Sequence, residues 1–225
     1  IKSLPKYKHA NIVLSVNKVF SKKINSYFNK KKAITLGNCI NSDLNIINKK
    51  NMNKSTLVIG ALGRMVRKKG FDVLINAFLK KEKVTLLIGG DGPEKQYLKE
   101  LALNNKNIKI LDWIDDIDSF FNKIDIFCLP SRIEPFGLVL IEAMARKIPV
   151  VSTDCNGPLD IIKNQVNGIL VKKNNSTAIY KSIMKLKDNS YLIKKISYNG
   201  YITVNKEYTI NSYSNKIKKI INNYY

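Results

Sequence analysis

Two carboxylates and two cations carry most of the chemistry this sequence offers. In "SRIEPFGLVLIEAMARKIPVV" (131–151), seven residues separate Glu134 from Glu142, and Glu142 interrupts the otherwise apolar run Leu138 to Ala145. An ionised carboxylate is seldom buried alone, because stripping its water costs on the order of several kcal/mol. Something must face Glu142: either a basic side chain in a salt bridge or the hydroxyls of a bound sugar or nucleotide. In "GALGRMVRKKG" (60–70), Arg64 and Lys69 lie between Gly63 and Gly70. Cations beside glycines suit close backbone approach to a diphosphate, with Arg64 bonding in bidentate fashion and Lys69 acting as a point charge. The competing reading is a basic surface turn ahead of a helix.

Two further stretches support a phosphate site. "IGGDGPE" (88–94) places three glycines, including Gly90, around Asp91, a turn that permits positive φ and exposes amide hydrogens. It lacks the G-x-G-x-x-G spacing of a dinucleotide fingerprint. After Glu134, the residues Pro135, Phe136 and Gly137 lead into a helix expected to begin near Gly137. The unpaired amides of a helix start bind anions, and a glycine there removes the side chain that would block approach. Glu142 stands about 7 Å further along that helix. A ligand with its phosphates at the helix start can therefore present hydroxyls to Glu142 and another group to Glu134.

The elements that position these residues read as α/β. "TLVIGA" (56–61), "VTLLIGG" (84–90), "NIKILDW" (107–113), "IDIFCLP" (124–130) and "IPVVST" (148–153) are short Val- and Ile-rich runs that alternate with amphipathic stretches. That pattern predicts a doubly wound, Rossmann-like parallel sheet, whose ligands lie at the carboxyl ends of the strands. A helix is expected over 71–82, with lysines at its end, and another from Pro93. Residues 1–50 give one βαβ unit, too small to bury its own faces, that reads as the tail of a preceding domain. "NKKNMNKS" (48–55) reads as the linker into the main domain, 51–200. Residues 201–225 read as a final helix.

The 225-residue chain carries a net charge of +22, from 39 basic and 17 acidic residues. Such a field attracts phosphate in any form. Most of the lysine reads as dispersed over helix surfaces, but "VFSKKINSYFNKKKAI" (19–34) concentrates cations in one segment that suits an anionic membrane surface. The chain begins without methionine, as expected of a piece of a longer protein. It has no signal-like segment and no run of about 18 apolar residues, so a soluble, cytoplasmic protein is expected. Cys39, Cys128 and Cys155 are odd in number and widely spaced, which suits reduced thiols. With His9 the one histidine, no His-based metal cluster or Ser-His-Asp triad can be built within the chain. The aspartates of "DWIDDID" (112–118) read as a turn and a helix cap.

"EPFGLVLIEAMA" resembles the E-x7-E signature of the retaining, family 4 type glycosyltransferases of the GT-B fold, with Glu134 and Glu142 as its acids. "GRMVRKKGFDVLINAF" is similar to that family's donor diphosphate motif, "GGDGPE" to its next loop, and "LDWID" to the segment bordering the nucleobase. "NGPLDIIKNQVNGILV" (156–171) resembles its Gly-Pro loop and the strand that follows. The matches run in the family's order over roughly residues 10 to 190. The resemblance implies the C-terminal, donor-binding half of a GT-B fold, with the last helix crossing back to the first domain. Arg64 and Lys69 would hold the diphosphate and Glu142 the ribose hydroxyls. Glu134 and the backbone of Phe136, Gly137 and Leu138 would face the transferred sugar and distal phosphate, and Gly63, Gly90, Trp113 and Ile114 would complete the donor site.

The implied donor is a nucleotide sugar, by family frequency a uridine diphosphate (UDP) sugar. The implied acceptor is a saccharide or lipid-linked molecule in surface polysaccharide or glycolipid synthesis, at the inner face of the membrane, with no metal or other cofactor. The acceptor domain is nearly all absent, so this fragment is expected to bind donor and to transfer little. At the domain boundary the chain reads "GNCINSD" (37–43) where the family often has "NG" before an acid. The alternatives are a basic α/β nucleic-acid-binding module and a degenerate, non-catalytic scaffold. Acids at Glu134 and Glu142 in the ligand loop serve no nucleic-acid patch, and the intact set of acids and cations argues against degeneracy.

Overall fold

A computed structural model describes residues 4–41, 46–47 and 56–223. The N-terminal unit comprises β1 (Val13–Ser15), α1 (Lys18–Phe28) and β2 (Ala33–Thr35), with the two strands parallel and Val13 opposite Ala33. Asn17 caps α1, its side chain accepting from the Phe20 amide, and Asn29 ends the helix in the left-handed region. Both are residues that favour those positions.

The main unit holds β3 (Leu57–Leu62), β4 (Val84–Gly89), β5 (Ile108–Ile110), β6 (Ile126–Leu129), β7 (Val150–Thr153) and β8 (Ile169–Val171). They form one parallel sheet in the order β5-β4-β3-β6-β7-β8. Its helices are α2 (Phe71–Phe78), α3 (Lys95–Ala102), α4 (Ile117–Lys123), α5 (Leu138–Ala145), α6 (Asn156–Ile161) and α7 (Ser176–Lys187), followed by α8 (Ser190–Glu207) and α9 (Ile210–Asn222). The fold is the doubly wound, Rossmann-like one expected.

Helices cover both faces. Ile59, Ile88, Ile126 and Cys128 point toward Leu74 and Phe78 of α2, Leu98 of α3 and Ile183 of α7. Leu62, Leu87, Phe127 and Leu129 point the other way, toward Phe121 of α4 and Leu140, Ile141 and Met144 of α5. A sheet buried on both faces calls for apolar residues at most positions of its strands, which is why β3 and β6 read as unbroken apolar runs.

Three boundaries differ from the sequence expectation. The helix expected over 71–82 stops at Phe78, because Leu79 leaves helical geometry and Lys80 turns left-handed (φ 62°). Lys80 and Lys81 therefore sit in the turn beyond the helix, as the chain reverses into β4. The helix expected from Pro93 starts at Lys95. The boundary placed at 200/201 falls inside α8, where Gly200 is a packing contact and no break. A Cβ there would rest 3.5 Å from Met144 Cγ of α5, so the bare backbone lets the two helices approach closely. The linker read at 48–55 lies outside the described residues.

Phe127 is fully buried in a central strand. Phe127→Ala should lower unfolding stability by about 3–5 kcal/mol, whereas Leu103→Ala, at a side chain 79% exposed, should change it by less than about 0.5 kcal/mol. Urea unfolding of the two variants distinguishes them; equal losses would contradict this core.

Candidate functional site

β3 and β6 are neighbours, and the strand order reverses between them. Ligand crevices of open α/β sheets form at such a switch point, outside the carboxyl ends of the strands. The loop after β3 carries Gly63 to Gly70, and the loop after β6 carries Pro130 to Gly137. Three sets of bonds fasten them together. Lys68 O accepts from the amides of Arg132 (2.8 Å) and Ile133 (3.2 Å). The Arg132 guanidinium grips the Asp72 carboxylate with two bonds (2.7 and 2.6 Å) and also donates to Arg67 O and Asn174 Oδ1. Lys69 Nζ lies 2.6 Å from Glu134 Oε2, to which Ser131 Oγ also donates at 3.4 Å. Glu134 is 7% exposed, so the fold brings Glu134 and Lys69 together in one part-buried ion pair.

The segment Glu134 to Gly137 is held from behind by α6. The Gly157 amide donates to Glu134 O at 2.9 Å. A Cβ on Gly157 would collide with the Phe136 backbone, so glycine is required for this approach. The Phe136 ring is buried between Gly37 and the edge of the Tyr208 ring, with centroids 5.8 Å apart, which leaves its backbone as the part that can meet a ligand. Gly137 caps α5 with φ 106°, a conformation that L side chains avoid. Leu138, on the first turn, is 42% exposed.

On the β4 side, a cleft of about 110 Å³ is lined by Leu62, Gly63, Gly89, Gly90, Trp113, Ile114, Ile117, Val139 and Glu142. Its floor is a backbone lattice: Gly63 N to Gly89 O (3.1 Å), Gly90 N to Asp112 O (3.1 Å) and Met65 N to Asp91 O (2.7 Å). Gly90 packs against the Gly63 carbonyl, where any Cβ would collide. Lys95 bridges Asp91 (3.3 Å) and Asp112 (2.7 Å) as an ion pair, while Asp116 caps α4 through the Ser119 amide, the cap role expected in 112–118.

Burial pushes the Glu142 carboxyl above the usual range, and Arg146 offsets this only partly. Arg146 is engaged elsewhere, with Asp118 and with the Glu142 main-chain oxygen. The salt-bridge alternative for Glu142 is thus not realised: among the described residues no ion pair joins it, and its side chain lines the cleft.

The structure gathers Glu134 and Lys69 at one end of the crevice and Gly63, Gly90, Trp113, Ile114 and Glu142 at the other. Arg64 lies on the loop after β3, and its exposed side chain makes no hydrogen bond or ion pair among the described residues. The sequence alone assigns no role to Ser131, Asp72, Arg132 or Gly157. The Asp72–Arg132 pair spans 60 positions, so no local spacing announces it, whereas Gly157 stands in a glycine-proline loop that marks it as a place of close approach. Burial raises the thiols of Cys128 and Cys155, which leaves both protonated and poorly nucleophilic.

Burial raises the Asp72 carboxyl, but its bonds with Arg132 outweigh that and hold it below the usual range. A depressed carboxylate stabilises the fold above its unfolded pKa, and that contribution is lost as pH falls through the lower folded value. Asp72→Asn should therefore cost about 1.5–3 kcal/mol at pH 7, and the deficit should shrink below about pH 4. Urea unfolding from pH 7 to pH 2.5 checks this; a deficit independent of pH would contradict it.

The model of the family described as "Glycosyl transferases group 1" matches residues 42–203. The capsular polysaccharide biosynthesis glycosyltransferase CapM of Staphylococcus aureus is 32% identical over 160 residues, 68% of this chain and 42% of that protein. The lipopolysaccharide core biosynthesis glycosyltransferase LpsE of Rhizobium meliloti (strain 1021) is 31% identical over 150 residues, 65% of this chain and 44% of that protein. The chain thus spans less than half the length of these relatives. Among solved structures, Anabaena Alr3699/HepE in complex with UDP and glucose superposes with a TM-score of 0.83 at 22% identity. That match covers 96% of this chain and 64% of that one, and at such identity it speaks for the fold. The C-terminal domain of a glycosyl transferase group 1 family protein (LpcC) from Francisella tularensis matches with a TM-score of 0.65 at 27% identity, over 76% of this chain and 99% of that domain. With the family model covering well over half of its residues, this chain belongs to the group 1 glycosyl transferases.

Proposed function

We propose that this chain is the donor-binding part of a retaining glycosyltransferase, which moves a sugar from a nucleoside diphosphate sugar to a saccharide or lipid-linked acceptor. The observation that carries this reading is the switch-point crevice itself. A part-buried Lys69–Glu134 pair stands beside the start of α5, and Glu142 lines a cleft with Gly63, Gly90 and Trp113. The nucleoside would occupy the cleft, with Trp113 and Ile114 bordering the base and Glu142 accepting bonds from the ribose hydroxyls. The diphosphate would then reach Arg64, Lys69 and the first-turn amides near Gly137 and Leu138.

Departure of the diphosphate leaves negative charge on its oxygens. Fixed cations and helix-start amides stabilise that charge without reorganising, so this mechanism invokes no metal. Lys69 already faces Glu134, so an arriving phosphate would share the cation with the acid beside the transferred sugar. Glu134 is given no nucleophile's role; retention is assigned to internal return, in which the departing diphosphate guides the acceptor.

The UDP in the HepE structure and the capsular and lipopolysaccharide roles named for CapM and LpsE support UDP-sugars and surface polysaccharide or glycolipid synthesis. Residues 1–50 would be the tail of an acceptor domain with its linker, the chain from 51 into α8 the donor domain, and the end of α8 with α9 a strap returning to the first domain. No described helix is long and apolar enough to cross a membrane. The exposed side of α1 presents Lys18, Val19, Lys22, Lys23 and Tyr27, a cationic and apolar mixture suited to peripheral docking on anionic lipid at the inner face.

Titration calorimetry with UDP, guanosine diphosphate and adenosine diphosphate tests the site. Micromolar binding of UDP is expected, weakened at least about tenfold in Glu142→Ala and Arg64→Ala, with little or no sugar transfer by the chain alone. If no nucleotide binds, and DNA binds instead with a steep salt dependence, the donor reading fails. Membrane docking predicts co-sedimentation with phosphatidylglycerol vesicles that fades as salt rises and is reduced in the Lys22→Glu/Lys23→Glu variant; absence of pelleting at low salt would refute it.

A further inference from the structure

Asn17 does two jobs with one side chain. Its Oδ1 accepts from the Phe20 amide (2.8 Å) and caps α1, and its Nδ2 donates to Pro135 O (2.8 Å), 118 positions away. The residue is 5% exposed. Its backbone is fixed by Ser15, whose hydroxyl donates to Asn17 O at 2.9 Å. Alongside, Asp160 of α6 accepts from the Lys18 amide at 2.7 Å, so the first turn of α1 is pinned to the main unit twice.

An N-cap needs only an acceptor, which serine or aspartate supplies as well as asparagine. Asn175 and Asn189 cap α7 and α8 in that simple way. At Asn17 the amide nitrogen is used as well, and its target is the main chain between Glu134 and Phe136. Glu134 O is already held by the Gly157 amide of α6. The two successive carbonyls of this segment are therefore gripped by different bodies, one by the donor sheet's own helix and one by the N-terminal unit.

We propose that Asn17 is a positioning residue of the donor site. Through the Pro135 carbonyl it fixes the segment that aims Glu134 at Lys69 and opens α5, so the site is complete only with the N-terminal unit in place. The ligand side of this inference rests on the donor reading above; the positioning side does not.

The test uses the whole chain with Asn17→Ser, which keeps a capping oxygen but cannot reach Pro135 O, and Asn17→Asp, which keeps the acceptor and loses the donor. Asn175→Ala serves as a control that removes a cap far from the loop. Hydrogen exchange followed by mass spectrometry reads segment 132–138, and calorimetry reads UDP affinity. Asn17→Ser and Asn17→Asp should melt within about 6 °C of wild type. In both, exchange of segment 132–138 should be about three- to tenfold faster and UDP binding about three- to tenfold weaker, as loss of one hydrogen bond implies. Asn175→Ala should leave both readouts unchanged. Wild-type exchange at 132–138 in both variants would overturn the proposal. So would a rise spread evenly over the N-terminal unit and the sheet, since Asn17 would then act as a cap alone. If wild type binds no UDP, the donor reading falls, and the exchange comparison still decides whether Asn17 holds the loop.

Discussion

β3 and β6 run side by side and parallel, with Ile59 opposite Ile126 and Gly60 opposite Phe127. Parallel neighbours cannot be joined by a hairpin; each must leave the sheet at its carboxyl end and return through a crossover. The crossover from β3 lies on one face, through α2, and that from β6 on the other, through α5. Their two loops therefore emerge together at the same edge and diverge, which opens the crevice. Arg64, Lys69, Glu134 and Glu142 all follow β3 or β6 and depend on that adjacency.

Electrostatics in the crevice are local, despite the +22 charge of the chain. Lys69 and Glu134 neutralise one another at 2.6 Å, and Arg132 is committed to Asp72. Removing one member of such a pair leaves the other buried and uncompensated, so these pairs hold the loops in register as well as offering charge. Glu142 differs: among the described residues it makes no ion pair, and burial raises its carboxyl with only a partial offset from Arg146. On the donor reading, hydroxyls bonding to it would favour the ionised form.

The N-terminal unit and the α8–α9 corner enclose the segment from Glu134 to Gly137 from outside the sheet. Gly37 and Tyr208 pack around the Phe136 ring, Tyr208 O accepts from the Ile40 amide at 2.9 Å, and Asn17 holds Pro135 O. Chain ends far apart in sequence thus converge on one loop. A displacement of either end would be transmitted to the Glu134 backbone, because packed elements shift as bodies.

The sequence by itself determined the sheet, since the largely apolar runs of β3, β4, β6 and β7 report burial on both faces. It also determined which loops carry acids, cations and glycines, because a strand–loop–helix unit is local. Glu134, Glu142, Arg64 and Lys69 were legible as candidates for that reason. Helix ends were read less well: lysines after Phe78 prolong a helical pattern that the turn into β4 cuts short, and Gly200 looks like punctuation until α5 is seen against it. Only the tertiary structure decided who meets whom. That Lys69 pairs with Glu134, that Arg132 locks Asp72 and that Asn17 reaches Pro135 are contacts over long sequence separations. Such pairings are fixed by strand order and crossover handedness, which no window of the sequence contains.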